Sequence, residues 1–159
     1  MKKIVLFLIA LLTLSISIPV MAAQEPTESD MQILLAKVKA DKKLLVSLNM
    51  ELSDAEAKKF WPVYDAYQIE LAKLNDRIAT LIKDYAAAYN DNAMTDAKAK
   101  QMISEMIAIE KAEAAMKKSF VPKLYKALPA VKAARYLQIE NKIRAAVRYE
   151  IADAVPLVP

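Results

Sequence analysis

Glycine, histidine and cysteine are all absent from this 159-residue chain. Without glycine there is no glycine-rich phosphate loop and no dinucleotide-binding turn, since both need a residue free of a Cβ where the backbone approaches the phosphates. Without histidine, the commonest general base and the commonest metal ligand are missing. Without cysteine there is no disulfide, no thiolate nucleophile or metal site, and no lipid-modified cysteine. These absences argue against catalysis, and no cofactor or metal site is expected. Charge of one sign is lacking too. The 23 basic residues face 19 acidic ones, well short of the dominant basic footprint that nucleic acid demands.

What the chain does have begins with a leader. In "MKKIVLFLIALLTLSISIPVMAAQ", Lys2 and Lys3 precede an apolar stretch from Ile4 to Ile18, and Pro19 breaks it before small residues. Val20 and Ala22 suit the −3 and −1 positions of a secretory cleavage site, which predicts a signal peptide over 1–22 and a periplasmic mature chain. The rival reading, an uncleaved anchor, meets a run just short of a full span. Once the signal is removed, no stable membrane insertion is expected. Losing Lys2 and Lys3 leaves 21 basic residues against 19 acidic, a net charge of +2. Residues 23–159 suffice for a single helical domain with a modest core.

The pattern is helical throughout, and nothing reads as a strand. Ser29 or Asp30 caps a first helix running to about Ser47, with Ile33, Leu34, Val38, Leu44 and Leu45 at helical spacing. Ser53 and Glu56 form a capping box at the start of a second helix, Ser53 to Tyr89. Along it, Phe60, Tyr64, Tyr67, Leu71, Leu74, Ile78, Leu81, Tyr85 and Ala88 alternate at steps of four and three, the seam of a helix packed lengthwise on a partner. "NDNAM" ends it, with asparagine making the turn that glycine usually makes. Thr95 caps a third helix, whose stripe of Ala99, Met102, Met106, Ile109, Met116 and Phe120 is interrupted by Glu113. That residue must be paired or exposed, or the helix must rotate there. Pro129 suits the first position of a fourth helix, about 130–153, with an apolar face of Val131, Ile139, Ile143, Val147 and Ile151. "AVPLVP" reads as an extended tail that folds back on the bundle.

Two prolines interrupt these helices. Pro62 and Pro122 each remove a helical hydrogen bond, at about 3 kcal/mol. In an antiparallel hairpin turning near residue 92, residue i lies level with 184 − i, which sets Pro62 beside Pro122 and Tyr64 beside Phe120. The expected fold is therefore all-α: a long antiparallel helical hairpin kinked at two prolines, flanked by the first and last helices, with a concave face. Near the kink gather Phe60, Trp61, Tyr64, Phe120 and Tyr125, with Lys58, Lys59, Lys117 and Lys118 around them. One reading is a contact surface for non-native or partner polypeptides, the rings giving apolar contact and the lysines electrostatic attraction. The other places the seam rings in the core and the lysines on a solvated rim, with Trp61, off the seam, the most exposed.

Other chemistry is better explained by structure. Met102 and Met106, one turn apart, offer thioethers to a soft metal, but they sit on the packing stripe and fit as core. Glu110 and Glu113, even with Glu70 or Glu140 nearby, lack the histidines of a di-metal carboxylate bundle. Glu70–Lys73 and Glu140–Arg144 read as intrahelical ion pairs.

The two helix starts echo each other: "LSDAEAK" at 52–58 and "MTDAKAK" at 94–100. With an exported all-helical chain, these starts resemble the Spy/CpxP family of small periplasmic proteins, whose two L-T-x-x-Q motifs they parallel, with Glu56 and Lys98 at the glutamine position. The resemblance spans about residues 30–128. It implies a curved helical hairpin that pairs as a cradle-shaped homodimer, and an ATP-independent chaperone or an accessory to envelope-stress sensing. The reading is a chaperone that binds non-native polypeptides on the concave helical surface. The alternative is a regulatory or structural subunit that docks on one dedicated envelope partner.

Overall fold

The computed structural model describes residues 40–158, so the leader and the start of the first helix, with Ile33, Leu34 and Val38, lie outside the described residues. The described chain is all-α. Helix α1 occupies 40–50, α2 Asp54–Asn90, α3 Asp96–Ala127 and α4 Ala130–Ala154, with no strand among the described residues.

Local chemistry sets each boundary. At the start of α2, Ser53 Oγ accepts from the Glu56 N–H while Glu56 Oε2 accepts from the Ser53 N–H at 2.8 Å. Asp54 and Glu56 also place negative charge at the positive end of the helix dipole. At its far end Asn92 takes the left-handed conformation, φ 49°. The Ala93 N–H then reaches the Ala88 carbonyl at 2.9 Å and the Asn92 N–H the Tyr89 carbonyl at 3.3 Å, the paired bonds of a Schellman motif. Asparagine tolerates this conformation better than most residues, so the turn forms without glycine. Thr95 Oγ1 caps α3 by accepting from the Lys98 N–H at 3.3 Å. Leu128 is extended, as a residue before proline prefers to be, and Pro129 is the N-cap of α4 rather than its first helical residue.

Helices α2 and α3 form the expected antiparallel hairpin. Tyr67 meets Phe120 edge-on with ring centroids 5.2 Å apart, and Arg77 Nε bonds Glu105 at 2.9 Å farther toward the turn. Both helices continue through their prolines, and both proline side chains face solvent. The α2 seam is buried at Phe60, Tyr64, Tyr67, Leu71, Leu74 and Ala88, and half-buried at Ile78, Leu81 and Tyr85.

Two expected faces need correction. On α1, Leu44 and Leu45 are exposed, and Val46 and Met50 enter the core instead. On α4, Val131 is 76% exposed and Ile139, Ile143, Val147 and Ile151 are only half-buried. The inward stripe of α4 is Ala133, Tyr136, Glu140 and Arg144. The ring of Tyr136 completes the aromatic core, and the two charged side chains find buried partners on other helices, so the helix rotates away from its most apolar arc. On α3, Met106 is likewise exposed while Glu113 is buried and paired. The tail does return to the hairpin: Tyr85 Oη donates to the Pro156 carbonyl at 2.8 Å.

Candidate functional site

The aromatic residues assemble as a core. Phe60 lies 5.0 Å from Tyr136, Tyr67 lies 5.6 Å from Tyr136, and Tyr64 lies 6.1 Å from Phe60. Their tilted and edge-on geometries are the favoured ones, each adding roughly 0.5–1.5 kcal/mol beyond burial. Phe60, Tyr64 and Phe120 are therefore corrected from contact surface to interior, because Tyr136 and Leu124 close over them. Trp61 is half-buried and packs on the cluster's edge, with the Lys43 ammonium 5.1 Å from its ring centroid. Tyr125, Lys58, Lys59 and Lys118 are exposed, and Lys117 is half-buried. The structure thus brings together the rings but leaves Tyr125 and Lys118 on the outer face of α3.

Beside the rings, α4 is held by two buried ionic groups. Glu113 accepts from Arg144, from Lys117 at 2.7 Å and from Arg148 at 3.0 Å, while Arg144 Nη1 also donates to Asn75 Oδ1 at 2.6 Å. Burial pushes the Glu113 carboxyl up, but the hydrogen bonds and charges of Arg144 and Lys117 outweigh it and hold it at about 2. Glu140 accepts from Lys42 and from Gln68, each at 2.8 Å, and Gln68 also donates to Tyr136 Oη at 3.3 Å. The Glu140–Arg144 intrahelical pair is accordingly replaced by two links between helices, whereas Glu70–Lys73 forms at 2.7 Å. Burial raises the hydroxyl pKa of Tyr64, Tyr67 and Tyr136, with Glu140 adding to each. All three stay neutral. Among the described residues, no group of three or more carboxylates gathers in metal-binding geometry.

A surface capable of binding lies at the open end of the hairpin. There the end of α1, the residue after it and the first half of α4 bound a shallow groove of about 350 Å³, lined by Leu48, Asn49, Glu51, Arg135, Gln138, Ile139 and Lys142, with Arg135 3.7 Å from the Glu51 carboxylate. Leu48 is 72% exposed, and Leu44 continues its face one turn earlier. Lys132 braces this end by bonding Glu56 at 2.6 Å and the Glu51 carbonyl at 2.8 Å. That contact is the main reason the Glu56 carboxyl is lowered. Sequence reading missed this groove because its two walls are distant in the chain. It also missed Tyr136, Gln68 and Lys42, whose only signal was a polar or aromatic residue inside a helical pattern.

Compared with known proteins, the chain matches no family model, no curated protein and no solved structure. Function must therefore be argued from this surface.

Proposed function

We propose that the chain is an exported, periplasmic, ATP-independent chaperone-like protein that holds non-native polypeptide segments at the open end of its hairpin. The observation that carries this reading is the groove beside Leu48. Leu44, Leu48 and Ile139 offer apolar contact, and Arg135 and Lys142 stand at its edge. A mixed surface, with Leu48 and Ile139 beside two cations of which Arg135 already faces Glu51, fits apolar segments that carry acidic residues, and a shallow open shape suits many sequences better than one. Holding needs no general base, nucleophile or nucleotide loop, in keeping with the missing glycine, histidine and cysteine. The sealed aromatic core supplies a rigid platform and takes no direct part.

The test is suppression of aggregation of a chemically denatured, unrelated protein by the purified chain without ATP. Suppression at near-equal stoichiometry is expected, and Leu48→Asp, an exposed change that leaves the fold intact, is expected to lose most of it. No suppression by the folded protein, or full suppression by the Leu48→Asp variant, overturns the assignment.

A further inference from the structure

The turn end of the hairpin, opposite the groove beside Leu48, carries a slot of its own. Ile82, Tyr85, Ala86, Tyr89 and Asn90 line it from one face of α2, at steps of three, one, three and one. The Tyr85 and Tyr89 rings stack at 28° with centroids 6.0 Å apart. Val155 and Pro156, just past the end of α4, form the other wall. Tyr85 Oη donates to the Pro156 carbonyl at 2.8 Å. None of these side chains is charged.

The seated segment shows what the slot accepts. Val155 is extended, with φ −91° and ψ 115°, as a residue before proline prefers to be. Proline has no N–H, so two aromatic rings and one hydroxyl donor leave none of its backbone groups stranded. Aromatic-lined grooves take extended proline segments because such segments are ordered before they bind. In the sequence, Pro156 and Pro159 stand three apart, one turn of a polyproline II helix.

The tail fills the slot only in part. Pro156 is exposed and Val155 half-buried, while Leu157 and Val158 beyond them are 90% and 56% exposed. From Ile82 to Asn90 the lining runs about 12 Å at 1.5 Å per residue. An extended segment rises about 3.1 Å per residue, so about four residues follow that length. The tail contributes two. With it in place, Ile82, Tyr85 and Tyr89 are still only half-buried and Asn90 is exposed. A second copy is disfavoured, because its tail would repeat contacts already made within the chain and give up the short tether to α4. A segment of another polypeptide, apolar on both sides of its proline, gains contacts that the tail leaves unmade. The nearest charges along the chain, Lys83, Asp84, Asp91 and Asp153, are exposed, and with three acids against one lysine they favour no acidic ligand.

We infer that the Tyr85–Tyr89 slot binds an extended, uncharged, proline-bearing segment of about four residues from another polypeptide, with the chain's own Val155 and Pro156 as its competitor. This goes beyond the holding function and uses none of the residues beside Leu48. The probe is the end-blocked peptide Val-Pro-Leu-Val-Pro, against a twin with alanine at both prolines. Each is titrated into the full protein and followed by the amide NMR shifts of residues 82–90. Pro156→Asp, an exposed change past the end of α4, opens the slot. That variant is expected to bind the proline peptide about tenfold more tightly than the unaltered protein, in which the tethered tail competes. The alanine twin, less ordered beforehand, is expected to bind it about tenfold more weakly. Adding Tyr85→Phe, which removes the donor, is expected to weaken proline-peptide binding about fivefold. Leu48→Asp is expected to leave the peptide bound while client holding is lost, so the two surfaces fail separately. No binding to the Pro156→Asp variant overturns the inference, as does equal binding of the two peptides or binding that Tyr85→Phe leaves intact. Equal binding by the unaltered and Pro156→Asp proteins removes the tail as competitor and overturns it too. So does a dimer that Pro156→Asp dissolves, which assigns the slot to the tail of a second copy.

Discussion

Glu113 shows how one side chain decides the packing of a helix. An acidic residue in an apolar stripe looks like a flaw in the pattern of α3, yet its buried carboxylate collects Arg144, Lys117 and Arg148. Removing its charge strands Arg144, which is itself buried. Glu113→Gln is expected to lower unfolding stability by about 3 kcal/mol, the low end for breaking a buried pair. The double change Glu113→Met with Arg144→Met is expected to recover most of that loss, because Lys117 and Arg148 are exposed enough to rehydrate. Urea denaturation of the three variants checks both. The same carboxylate fixes an acid dependence. Its folded value of about 2 lies below the ordinary 4.5. A depressed folded value gives stability that is full above the unfolded value and lost as pH falls toward the folded one. Stability is therefore expected to be level from neutrality to about pH 5 and to fall by about 3 kcal/mol between pH 5 and pH 2 through this group. The Glu113→Gln variant should show a shallower fall over that window.

Elements were readable from sequence where local chemistry fixes them. Ser53, Thr95 and Asn92 sit where capping and turning require them, and the four-three repeat of α2 marks its buried side correctly at Phe60, Tyr67 and Leu71. The faces of α1 and α4 were not readable. Leu44 and Val131 are more apolar than Tyr136 or Glu140, yet the latter pair is buried because Lys42, Gln68 and the aromatic rings, all distant in sequence, receive them. Apolar periodicity cannot register a face built from charges whose partners lie on other helices. The candidate contact residues divide on the same principle: seam rings went inward, and Tyr125 and Lys118, off the seam, stayed outside. The two prolines bear on the element itself. Each leaves a carbonyl one turn earlier, at Lys58 and Lys118, without its helical N–H. Pro62→Ala and Pro122→Ala are each expected to raise stability by about 1–3 kcal/mol, since both sites are exposed and helical. On the proposal that the two prolines curve the hairpin and shape its binding end, the double variant, more stable by urea denaturation, is expected to hold less client in the aggregation assay. Full holding by that variant removes the prolines from the function.

The molecule as a whole is sealed inside, and the proposed holding function falls to its surface. Its rings interlock at the open end and its buried charges tie α1 and α4 to the hairpin, so binding must use what the surface leaves over. What is left over sets apolar residues beside charged ones on two separate faces: Leu48 and Ile139 with Arg135, Lys142 and Glu51, and Ile103 and Ile107 with Lys100, Lys111 and Glu110. With a nearly balanced net charge, long-range attraction is weak, and each cation acts only over a short distance. Salt then separates the two contributions. Between 0.1 M and 1 M salt the screening length falls from about 10 Å to about 3 Å, which weakens exposed ion pairs, while apolar contact is retained. Holding of a denatured client rich in acidic residues is expected to fall severalfold over that range, and holding of a client poor in them to stay level or rise. The comparison is made with the same protein preparation and the two clients side by side. No loss for either client assigns the cations no part in recognition and leaves the apolar groove to act alone.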